Sequence, residues 1–180
     1  TDVEPQAVAP VADVAPKPVE LDFATLTHER QKVELVKIIY NKFSAAGLNE
    51  NVMLAAIANG MAESQLKTSA FNDGTAEKPE DSHGVWQFNT DKGAAGEGLD
   101  PSDLKNPYWM TAHLITVIKD TPTFYASRDS LTPENLTRDF TLKIENPADA
   151  ELKSEERKTL VPAARALLNK AKLELSTKGA

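Results

Sequence analysis

Residues 52–58, Val-Met-Leu-Ala-Ala-Ile-Ala, form an unbroken apolar run that passes through Asn59, Gly60 and Met61 into Glu63 and Ser64. Asn49 precedes it in a capping position, so the stretch reads as a helix over roughly 50–65. Apolar on nearly every side, such a helix has no face for water and belongs at the centre of the fold. The rest of the chain must cover it.

The covering elements also read as helices. Thr27 can cap one whose Val33, Val36, Ile39, Tyr40 and Phe43 follow the 3.6-residue period, with Gly47 as its stop. Asn106-Pro107 sets a cap before a Pro at the first helical position and leads into Trp109, Ala112, His113, Thr116 and Val117. Thr132-Pro133 repeats the device, with Leu136, Phe140 and Ile144 on one stripe, and Asn146-Pro147 ends that helix. A last helix near 162–176 carries Ala164, Leu167, Leu168, Ala171 and Leu175. Between them, 67–106 is rich in Gly, Asn, Asp, Pro and Ser and reads as loops, with a short hairpin around Asp73-Gly74. No internal repeat and no alternation of strands with helices is present. The expected fold class is mainly α.

Residues 1–22 differ in kind, with Pro5, Pro10, Pro16 and Pro18 spread among Ala, Val and acids. Proline removes amide donors and favours extended chain, so this segment reads as an arm or linker. The expected organisation is an arm over 1–25 and one folded domain over 26–180. At 180 residues, 41% hydrophobic and 26% charged, the chain is neither disordered throughout nor collagen-like. A body of about 150 residues buries roughly two-thirds of its unfolded surface, enough for a real core. A chain that opens on Thr1 with no visible signal peptide reads as a fragment or a processed product.

Charge and composition narrow the chemistry. The net charge is −7, and Lys and Arg are sparse over the first 100 residues, which argues against a nucleic-acid partner. Residues 153–178 are more basic and read as a solvated helix face. No apolar run is long enough for a membrane span. With no Cys there is no disulfide, thiolate metal site or cysteine nucleophile, and His28, His83 and His113 lack metal-ligand spacing. No metal and no cofactor is expected. Ser nucleophile and phosphate-loop motifs are also missing.

Two stretches can carry chemistry. Glu63 ends the most apolar helix, where a carboxylate is seldom buried without a partner, so it points into a cleft or is paired. Partial desolvation and the negative end of a helix dipole both favour the neutral form of a carboxyl so placed, as a general acid requires. A plain Glu at a fraying helix end is the alternative. The second stretch is His83-Gly84-Val85-Trp86-Gln87-Phe88-Asn89. Aromatics beside amides suit sugars, through ring stacking and hydrogen bonds to hydroxyl or acetamido groups. Equally, Trp86 and Phe88 are core candidates.

Taken together, Asn59, Met61, Glu63, Ser64 and Leu66, followed by Gly84, Trp86, Gln87 and Phe88, resemble the phage tail lysozyme family of the lysozyme-like superfamily. Goose-type lysozymes and lytic transglycosylases share its Glu-Ser … Gly-x-x-Gln logic. The likeness extends through Asn106-Pro107, Phe140, Glu145-Asn146-Pro147 and the segment Arg157 to Arg165, covering about 30–170. It implies a lysozyme-like helical domain with a short hairpin or loop region lining the cleft. It also implies cleavage of the β-1,4 bond between N-acetylmuramic acid and N-acetylglucosamine in peptidoglycan, with Glu63 protonating the glycosidic oxygen. Ser64 and Gln87 would shape the saccharide cleft, and His83, Trp86 and Asn89 are added as substrate neighbours on chemical grounds.

Asp73 is the first candidate for a second catalytic carboxylate, though beside Gly74 it also suits a plain turn; Asp81 and Glu145 are the others. With no carboxylate opposite Glu63, attack by the substrate's own hydroxyl would make the enzyme a transglycosylase. The expected setting is a phage particle, tail or internal, acting on the host periplasm and cell wall. The arm would join the domain to other virion proteins. The rival expectation is a catalytically silent structural or wall-binding virion protein on the same scaffold.

Overall fold

The computed structural model describes residues 19–77, 79–91 and 96–178. The fold is mainly α with one small sheet, as the sequence leads one to expect. Residues 1–18 of the expected arm lie outside the described residues. The last part of that segment packs on the body. Phe23, in a short 3₁₀ turn Phe23–Thr25, is buried, and Gln31 donates from its side-chain amide to the Phe23 carbonyl at 2.7 Å.

Helix α1 (His28–Ala45) is capped by the Thr27 hydroxyl, which accepts from the Arg30 amide at 3.2 Å. Helix α2 (Glu50–Ser64) is capped by Asn49, which accepts from the Val52 amide at 3.1 Å. Every residue from Val52 to Gly60 is buried, which makes α2 the axis of the molecule. Two short helices, α3 (Pro101–Leu104) and α5 (Pro122–Tyr125), flank α4 (Pro107–Lys119). Asn106 caps α4 through both the Tyr108 and Trp109 amides. Helix α6 (Pro133–Phe140), capped by Thr132, runs along α2. Helix α8 (Val161–Lys178) packs against both α1 and α2.

Two features of the helical body were not expected. Helix α6 does not continue regularly to Asn146; after Phe140 it widens into a π turn, Thr141–Glu145, closed by the Asn146 amide on the Thr141 carbonyl at 2.7 Å. Such wide turns shift side chains off the regular helical stripe and recur at functional sites. Beyond it stands a helix, α7 (Ala150–Lys158), whose buried residues are Ser154 and Arg157.

The sheet has three antiparallel strands in chain order, β1 (Phe71–Gly74), β2 (Pro79–His83) and β3 (Phe88–Asn89). Strands β1 and β2 form the hairpin expected at Asp73-Gly74. The β2–β3 turn is held against α2. Gly60 makes the approach possible: a Cβ there would stand 2.8 Å from Leu66 Cδ2 and 2.9 Å from Val85 Cγ1. The Trp86 indole donates to the Ala56 carbonyl at 2.8 Å, and the Ser64 hydroxyl donates to the Val85 carbonyl at 2.7 Å. Gly84, at φ +78°, fits where a Cβ would meet the Leu104 carbonyl oxygen at 2.0 Å, so no other residue can take its place unstrained.

Candidate active site

Four polar side chains meet where the end of α2 faces the π turn and α7. The helical repeat puts Asn59 and Glu63, four residues apart, on one stripe of α2. Glu145 closes the π turn, and Asn146 then turns the chain away at φ +41°. Arg157 reaches in from α7. Its Nη2 donates to Glu63 Oε1, and its Nη1 to Glu145 Oε2 and, at 2.8 Å, to Asn59 Oδ1. Asn59 is itself fixed. Its amide nitrogen donates to the Ala55 and Thr137 carbonyls at 2.9 and 3.1 Å, and its oxygen also accepts from the Thr141 hydroxyl at 2.7 Å. The buried Asn59 thus orients the guanidinium that both carboxyls share.

The charges do not balance: two carboxyl groups face one guanidinium. Burial first, and then the negative charge of Glu63, raise the Glu145 carboxyl well above the usual carboxylate range, against the pull of Arg157. Glu145 Oε1 is buried and accepts no hydrogen bond. The two acids differ in access, with 4% of the Glu145 side chain exposed and 20% of Glu63.

Both open onto a cleft of about 700 Å³ between the sheet and the helical body. Asn72, Glu80, Ser82, Gln87, Phe88, Asn89 and Asp91 line the sheet side. Lys143, Ile144, Asn146, Pro147, Ala148 and Lys153 line the helical side. The lining is predominantly polar, with amides and charged groups at the rim, a composition that hydrogen-bonds a hydroxyl-rich polymer better than an apolar ligand.

Of the residues singled out from the sequence, Glu63, Gln87 and Asn89 lie in this cleft. Gln87, at φ +50°, donates from its amide to the Gly84 carbonyl at 2.8 Å, which holds the turn rigid. Trp86 forms part of the inner wall, but it is buried and spends its N–H on α2. Ser64 is buried beneath the turn and positions it, without lining the cleft. His83 is also buried and off the cleft: it stacks on Phe71 at 4.8 Å, with Nε2 2.6 Å from Asp81 Oδ1. Strand alternation explains this, because Ser82 faces the cleft and its neighbour His83 must face away. Asp73 is exposed on β1 and does not line the cleft. Asp81 is engaged with His83 and Thr90. Among the three acids weighed as partners of Glu63, Glu145 is the one beside it.

Arg157 was missed as a site residue. The signal available for it was weak: one Arg in a polar segment, Glu-Glu-Arg-Lys, with no apolar period around it. Among the described residues, no group of three or more His, Cys, Asp or Glu is placed to hold a metal ion. No described helix is long and apolar enough to cross a membrane.

A helical body crossed by one buried helix, with an acid at its end and a small antiparallel sheet forming the far wall of a polar cleft, is a lysozyme-like fold. The chain belongs to the phage tail lysozyme family, whose model matches residues 34–168 and so takes in Glu63, Gln87, Glu145 and Arg157. No curated protein and no solved structure matches the chain.

Proposed function

We propose that this chain is a peptidoglycan-cleaving glycosidase of a phage particle, cutting the β-1,4 bond after N-acetylmuramic acid with Glu63 as general acid. The observation that carries the proposal is the reachable Glu63 carboxyl at the floor of an open polar cleft, held by Arg157 next to a second, buried acid. Glu63 protonates the glycosidic oxygen as the sugar gains oxocarbenium character, which splits the bond without a strong external acid. Gln87 and Asn89 bind sugar hydroxyl or acetamido groups along the sheet wall. Trp86 and Ser64 act indirectly, by holding the turn that presents Gln87. Asp73 and His83 have no cleft contact to support a role in catalysis or binding. The family points to peptidoglycan as substrate and to a virion as the setting. Action in the periplasm during entry, and attachment to tail or capsid proteins through the Pro-rich N-terminal segment, are part of the same proposal.

The test compares wild type with Glu63→Gln on purified peptidoglycan, identifying released muropeptides by mass. Release should fall by about 10²–10⁴-fold in the variant, the usual worth of a general acid. Reducing ends would mark a hydrolase, and anhydro ends a transglycosylase. Equal and negligible release by two folded, wall-binding proteins would sink the enzyme reading in favour of a silent virion scaffold.

A further inference from the structure

Resting on that reading, we propose that Glu145 is a positioning residue that shares one proton with Glu63 beside Arg157, keeping a protonated acid on call in the cleft at neutral pH. Three features of the cluster meet here. A single guanidinium serves two carboxyls, so one of them must be neutral for the buried cluster to carry no net charge. Glu145 Oε1 is buried with nothing to accept, which is costly for an ionised oxygen and natural for one that carries a proton. Glu63 is bound by the same guanidinium as Glu145, so a second carboxylate stands beside it to take that proton.

In the resting site the proton sits on Glu145, and Glu63 is the anion facing Arg157. Transfer breaks the O–H bond of Glu145 and forms one on Glu63, leaving the Glu145 carboxylate against Arg157 Nη1. The cluster is neutral before and after, so the step separates no charge in a partly dehydrated site. Glu63 then gives the proton to the glycosidic oxygen as the C–O bond breaks. The attacking hydroxyl, from water or from the substrate, returns a proton to the pair.

The other charged groups near the pair do not replace this function. Lys143 and Lys153 line the cleft from the π turn and α7, and Lys143 is paired with Asp139 of α6 at 3.1 Å. Arg138 of α6 is engaged by Glu151 and Glu155 of α7. Glu80 and Asp91 line the opposite wall, on the sheet side. Asn59 and Thr141 touch the cluster but do not titrate in this range.

The experiment measures kcat and KM against pH for wild type, Glu145→Gln and Glu145→Asp on solubilised peptidoglycan. Glu145→Gln should lose at least about tenfold in kcat at pH 7 with KM held, and recover toward wild type as the pH is lowered, because the acid of the cleft must then draw its proton from solvent. Glu145→Asp, which keeps a titrating group, should restore part of the neutral-pH activity. A Glu145→Gln profile parallel to wild type at every pH would overturn the proposal in favour of a merely structural residue. Carboxyl-carbon NMR titration of glutamate-labelled protein supplies a readout independent of turnover. Two carboxyls titrating in linked steps, with the Glu63 step moved by Glu145→Gln, support the shared proton. A Glu63 resonance indifferent to that substitution overturns it. If wild type itself releases nothing from peptidoglycan, the proposed function fails, and the NMR result still decides whether the proton is shared.

Discussion

Two of the charge clusters that fasten helices together in this molecule are built on opposite plans. Between α1 and α8, Arg30 and Lys37 face Glu34 and Glu174: Arg30 reaches Glu174 at 2.5 Å, and Lys37 reaches both acids at 2.9 Å. Two cations meet two anions, and no buried atom of the four is left without a partner. Hydrogen bonds from Arg30 and then Lys37 hold the Glu174 carboxyl down, from the ordinary 4.5 to about 2. Glu34, although burial opposes it, is lowered by the same two cations. At the cleft, two acids share one cation, a carboxyl oxygen is orphaned, and Glu145 is driven up instead of down. A balanced network serves the fold. An unbalanced one destabilises locally and persists where a proton has to be held for chemistry.

The sharpest way to break the comparison is to remove the single cation of the cleft. Arg157→Met leaves Asn59, Glu63 and Glu145 facing one another with no guanidinium between them. Breaking a buried pair from one side costs about 3–5 kcal/mol, so urea unfolding at pH 7 should show a loss of that order. A loss below about 1 kcal/mol, the range of exposed pairs, would mean that the cluster is no more than surface decoration.

The balanced network makes a smaller effect with a definite pH signature. A carboxyl whose folded value lies below its unfolded one adds stability above the unfolded value and loses it as pH falls through the folded one. For Glu174 that window runs from about pH 4.5 down to about 2. Glu174→Gln should therefore cost roughly 1 kcal/mol at pH 7, discounted because the side chain is partly exposed, and the difference from wild type should vanish by about pH 2. A difference that persists undiminished at pH 2 would assign it to packing of α8 and not to the ion pairs.

How far the sequence revealed these plans depended on where the signal was apolar. Helices α1, α2, α4, α6 and α8 each combine a buried stripe with a terminus marked by sequence, a side-chain cap or a neighbouring proline, and apart from the end of α6 their limits were readable to within a few residues. Helix α7 was not, because its buried face is Ser154 and Arg157 and its Leu152 is exposed. A helix that packs through a guanidinium has no hydrophobic period to detect. The break after Phe140 was hidden for a related reason: Leu136, Phe140 and Ile144 keep a four-residue spacing whether the last turn is regular or wide. Glu63 was legible because a carboxylate ending an apolar helix is chemically odd. Its partner was not, since pairing across 94 positions of chain leaves no local trace. His83 misled for a geometric reason, standing next to Gly84 in sequence but on the opposite face of β2 from Ser82.

The mildest substitution sharpens the comparison most, because its sign is opposite. A carboxyl whose folded value lies above its unfolded one supplies stability below the unfolded value and loses it as pH rises toward the folded one. Glu145 is in that class, since burial disfavours its charge. As pH climbs past about 4.5, the unfolded chain ionises this group while the folded chain resists. Glu145→Gln keeps the shape and a hydrogen-bonding oxygen for Arg157 but removes that resistance. The variant should match or exceed wild type at pH 7, by up to about 1 kcal/mol, with the gain growing between pH 5 and 8 in parallel melts. The expectation runs against the usual loss on removing one side of an ion pair, because Arg157 retains Glu63. A stability loss that deepens with rising pH would put a full negative charge on Glu145 in the folded protein. The two clusters would then be built alike, and the shared proton of the cleft would have no place to reside.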